Sequence, residues 1–172
     1  MSQMSAQDIQ NAENALERLV SGLPGFQGYR AKEHRRDADK ILRLHIAERL
    51  TEQWRRLTEI QRQMASSGEF TYLDDLEGIA IRLRSLADQI RTASYGYAGF
   101  FDAVKVDDAA LQRLYTFDTQ LLDLVEAIKA GVDQLEQALQ TDQFPQAMRD
   151  LLAQARQALE TFNRREETIL GD

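Results

Sequence analysis

Apolar residues recur at alternating spacings of three and four through four long stretches of this chain, and only Pro24 and Pro145 interrupt a sequence of 172 residues. Such spacing lines one side of an α-helix with side chains that need another helix to cover them. No segment shows the sustained apolar–polar alternation of a half-buried strand, so an all-α fold is expected.

The first helix is placed at about 6–21, carrying Ile9, Ala12, Leu16, Leu19 and Val20, and it ends in SGLPGFQG. A long helix follows at about 29–65, with the stripe Leu42, Ile46, Leu50, Trp54, Leu57, Ile60 and Met64. SSGEFTY supplies the next turn. The third long helix, about 73–104, carries Leu76, Ile79, Leu83, Leu86, Ile90, Ala93, Tyr97, Phe101 and Val104. The fourth, about 108–140, follows an aspartate cap and carries Leu111, Leu114, Phe117, Leu121, Val125, Ile128, Val132, Leu135 and Leu139. The last, about 145–170, begins at a proline and turns Met148, Leu151, Leu152, Ala155, Leu159, Phe162 and Ile169 inward. Short turns between long helices make successive helices antiparallel. The expected architecture is one domain, an elongated up-down antiparallel bundle of four long helices with a short N-terminal helix packed on it.

One stretch complicates the third helix. ASYGYAGFFDAVK keeps the three–four phase, yet Gly96 and Gly99 each cost a helix about 1 kcal/mol relative to alanine. We expect the helix to continue through it, with the two glycines forming a small-x-x-small edge for close approach of a neighbour. The alternative is a helix that ends near Ser94 and a glycine loop beyond. GFQGY, Gly25 to Tyr29, repeats the same Gly-aromatic pattern before the second helix. In an antiparallel bundle the two motifs would meet at one end, gathering Tyr29, Tyr95, Tyr97, Phe100 and Phe101 beside Arg35 and Arg36. Those residues with Gly96 and Gly99 are the candidate partner-binding surface; closure of the core by the aromatics is the competing account.

Charge is uneven. Residues 28–62 hold ten Lys/Arg against six acids, a balance of +4, while residues 105–172 hold seven against thirteen, a balance of −6. The two blocks can satisfy each other within one bundle or between copies. With a formal charge of −7 for the whole chain, no general affinity for nucleic acid is expected.

Chemistry is sparse. The absence of cysteine excludes disulfides, thiolate metal sites and cysteine nucleophiles. Neither phosphate-binding glycine loop occurs, and the acidic pairs Asp74–Asp75 and Asp107–Asp108 fall at helix starts, where capping and the helix dipole account for them. His34 and His45 are eleven residues apart and so lie on one side of a helix, with Glu48 beyond, which makes them the candidate metal ligands. A ferritin-like di-iron site needs a Glu-x-x-His motif on each of two helices, and here Glu33 and His34 are merely adjacent. No metal or cofactor is expected.

The chain is therefore read as a non-enzymatic helical scaffold or adaptor, working through a protein partner or self-association as a subunit of a larger assembly. Two alternatives stand beside it: a ligand- or metal-binding bundle, and peripheral membrane contact through Phe100 and Phe101 with nearby arginines. The N-terminus has no basic start and apolar core, and no stretch has the length of a spanning helix, so a cytoplasmic protein is expected.

Overall fold

A computed structural model describes residues 6–26, 35–93 and 108–170, and among these the chain forms five helices and no strand. They are α1 (Ala6–Leu19), α2 (Arg35–Ser67), α3 (Leu73–Thr92), α4 (Asp108–Gln137) and α5 (Phe144–Leu170). Among the described residues no helix is long and apolar enough to cross a membrane. α2, with 33 residues, is a rod of about 50 Å.

The four long helices form an antiparallel up-down bundle, and α1 packs on the outside of α4. Around the bundle the order is α2, α3, α5, α4, so α2 adjoins both α3 and α4, and α5 adjoins both α4 and α3. Cross-links give the directions. Arg49 pairs with Glu126 and Arg56 with Asp133, so α2 and α4 run side by side in the same direction. Gln61 bonds Glu77 near one end while Arg43 reaches the Ile90 carbonyl near the other, so α2 and α3 are antiparallel. Consecutive helices α3 and α4 consequently occupy diagonal corners.

Local chemistry ends the helices. α2 closes in a Schellman turn: Gly68, at φ +80°, takes the left-handed position, Glu69 N–H bonds Met64 O at 2.9 Å and Gly68 N–H bonds Ala65 O at 3.2 Å. Asp74 and Asp75 lie in the first turn of α3, where the helix dipole favours negative charge. Gln140 makes the corresponding left-handed turn after α4, at φ 62°.

The expected continuous third helix is corrected. α3 ends at Thr92, with Ala93 as its C-cap, so the helix expected over 73–104 does not run on unbroken from there, and 94–104 lie outside the described residues. Side chains reach the carbonyls of its last turns. Arg43 of α2 donates to Ile90 O at 3.1 Å and to Arg91 O at 3.4 Å, and Thr92 Oγ1 donates to Asp88 O at 2.8 Å. A cation on the last carbonyls is a C-terminal cap supplied from another helix.

The core is one continuous cluster running through Leu42, Ile46, Leu50, Leu57 and Ile60 of α2, Leu83 and Ile90 of α3, Leu114, Val125 and Val132 of α4, and Leu151 and Phe162 of α5. Burying each such side chain contributes about 1.5–3 kcal/mol. Among the described residues some positions depart from the expected stripes. Gln53 is buried in place of Trp54, which is half-buried under the Arg84 guanidinium at 5.3 Å; Asp118 is buried in place of Phe117; and Leu19 is exposed.

Candidate functional site

The three–four rhythm of each long helix passes through charged residues without a break. On α2 the seam reads Asp39, Arg43, Ile46, Leu50; on α4 it reads Leu111, Leu114, Asp118, Leu121; on α5 it reads Ala155, Ala158, Phe162, Arg165. Asp39, Arg43, Asp118 and Arg165 therefore project into the core, each no more than 4% exposed. They meet in a single layer.

Arg165 is its centre. Its Nε donates to Asp118 Oδ1 at 2.5 Å and its Nη2 to Asp39 Oδ1 at 2.6 Å, so one guanidinium ties α5 to its neighbour α4 and, across the bundle, to α2. Arg43 Nε donates to the second oxygen of Asp39 at 2.8 Å, while its Nη1 caps α3. Two carboxylates and two guanidiniums thus balance in charge and connect all four long helices. Beside them Tyr115 Oη lies 3.4 Å from Glu13 Oε1 in α1, both groups buried, which extends the polar layer to the short helix.

Charge-assisted bonds of this geometry are strong only if the partners keep their places. A slip of α5 by one turn would carry Arg165 about 5.4 Å from both carboxylates and leave three charges buried without it. The layer consequently fixes the register of the bundle more than it adds to stability. Its groups are turned toward one another and buried.

No protein-family model, curated protein or solved structure matches the chain.

Most of the sequence-predicted site lies elsewhere. Tyr29, His34, Tyr95, Gly96, Tyr97, Gly99, Phe100 and Phe101 fall outside the described residues. Arg35 and Arg36 open α2, the first half-buried and the second exposed, one turn before Asp39. His45 and Glu48 lie on α2 beside the Arg49–Glu126 pair that joins α2 to α4. Among the described residues no three His, Asp or Glu side chains come together as a metal site. Burial pushes the His45 imidazole below its ordinary value, and the neighbouring Arg49 charge pushes the same way against Glu48 and Glu126.

The basic and acidic blocks meet within the chain. Besides Arg49–Glu126, Arg56 of α2 holds Glu136 through two bonds, at 2.7 and 3.2 Å, and Asp133 through one at 2.7 Å. The carboxylates of Glu136 and Asp133 hold the Arg56 guanidinium above its usual value, with the Glu136 hydrogen bond the larger cause. Counting residues 28–62 only as a basic block missed Arg43 and Asp39. Their place on the apolar seam was the signal.

Proposed function

We propose that the chain acts through protein–protein contact, as a helical scaffold or adaptor within a larger assembly. The observation that supports this reading is the disposition of its ionisable groups: those inside the bundle are turned toward one another, and the rest stand on long outer faces. Chemistry available to another molecule is then surface chemistry. Outer faces of long, register-locked helices present side chains at fixed spacings, which is what a docking partner reads. The stretch holding Gly96, Tyr97, Gly99 and Phe101, outside the described residues, is kept as a candidate contact within this proposal.

Native capture of the intact chain followed by mass measurement of the assembly tests it. A discrete complex heavier than the monomer is expected, and Gly99→Leu or the Tyr97→Ala/Phe101→Ala double change is expected to weaken it in molecules that remain folded. Recovery of the chain solely as a monomer would overturn the reading.

A further inference from the structure

Between α3 and α5 runs an open groove of about 480 Å³ whose lining differs from the rest of the surface. Its floor is apolar: Ile79 and Met148 are buried and Leu152 is half-buried. Arg82 of α3 and Arg149 and Arg156 of α5 stand over that floor. Arg82 rests on the Gly78 carbonyl at 2.7 Å and Arg149 on Gln146 Oε1 at 2.6 Å, and among the described residues no carboxylate is within ion-pair distance of any of the three. Arg43, Arg49, Arg56 and Arg165, which bridge helices, are by contrast matched to acids. Asp74 and Asp75 also line the groove, in the first turn of α3, so its cationic part is the end formed by Arg82, Arg149 and Arg156.

Gly78 supplies a second, independent observation. A glycine in the middle of a helix costs about 1 kcal/mol relative to alanine, so packing usually explains it. Here a Cβ would meet only the Arg82 Nη1 atom, at 3.2 Å, the movable tip of a long side chain. Among the described residues nothing else needs the missing side chain. A bare backbone at the groove wall lets another backbone come close.

We infer that this groove receives an acidic amphipathic helix from a partner protein, its apolar side on Ile79, Met148 and Leu152 and its carboxylates toward Arg82, Arg149 and Arg156. From Tyr72 to Arg82 the α3 wall is about 15 Å long, room for about three turns of a docked helix. Guanidiniums over an apolar floor suit such a ligand because each can hold a carboxylate through two bonds while its stem lies on the apolar surface. The inference rests on the scaffold reading and names the surface and the partner chemistry for it.

The probe is a fluorescein-labelled synthetic helix with glutamates on one face and leucines on the other. Its binding is followed by anisotropy against a scrambled peptide and a lysine-for-glutamate peptide. Saturable binding of the glutamate helix is expected, weakening as salt rises. Arg149→Glu with Arg156→Glu, or Gly78→Leu, should weaken it by about tenfold or more while the helical circular dichroism is unchanged. Equal binding of the scrambled peptide, no binding, or full binding by the charge-reversed variant overturns the inference. So does a self-associated wild type that the charge reversal dissociates, since the occupant is then a second copy. If native capture yields a complex that the charge-reversed variant still forms, the groove is not its docking site and the scaffold reading stands; capture of a bare monomer removes that reading itself.

Discussion

Replacing Arg165 with methionine tests the buried layer most directly. The change keeps much of the side-chain volume and deletes the donors to Asp118 at 2.5 Å and Asp39 at 2.6 Å. Asp39 keeps Arg43 at 2.8 Å, and Asp118 is fully buried. Removing one partner of a buried ion pair costs about 3–5 kcal/mol. With a urea slope of about 2–3 kcal/mol per molar, the midpoint should fall by roughly 1–2 M. Adding Asp118→Leu to Arg165→Met removes both ends of the pair and should recover part of the loss. Urea unfolding followed by helical circular dichroism at neutral pH measures all three proteins. A single variant within about 1 kcal/mol of wild type at neutral pH, with no recovery in the double variant, would refute the assignment of Arg165 as the centre of the layer.

Other consequences follow from particular contacts. Gly78→Ala should stabilise by about 0.5–1 kcal/mol, because its Cβ meets only the Arg82 tip at 3.2 Å. Gly131→Ala should lose about 1 kcal/mol net, since its Cβ would fall 2.6 Å from Gln154 Oε1 and 3.1 Å from Leu151 Cδ1 and overpack the α4–α5 contact; thermal unfolding of the two variants should move in opposite directions. Arg43→Lys should loosen the last turn of α3, because a single ammonium cannot serve Asp39 and the Ile90 and Arg91 carbonyls together; hydrogen exchange should rise there more than elsewhere. For His45, whose folded value is lowered by burial, the unfolded chain gains the proton first on acidification. Its contribution is complete above about pH 6.5 and is lost as pH falls through the lowered value. His45→Gln should flatten the acid side of the stability profile, and an unchanged slope would show that another group titrates.

The helices and their inward faces were written locally. A repeat of three and four residues fixes which side of a helix is apolar whatever lies opposite, and turn residues such as Gly68 act within a few positions of themselves. The same rhythm already placed Asp39, Arg43, Asp118 and Arg165 on the seam, although their charge drew attention to solvent instead. It did not show that they would meet. Asp39 and Arg165 are far apart in sequence, and their pairing depends on α2 lying beside α4 and diagonally from α5, an order that the sequence of short turns leaves open. The Arg43 bonds to the Ile90 and Arg91 carbonyls at the end of α3 are likewise contacts made by another helix. Periodicity is a property of each helix and is readable from it. Neighbours, and with them the ionic layer and the α3–α5 groove, are set by how the finished helices bury their faces together, which only the tertiary structure decides.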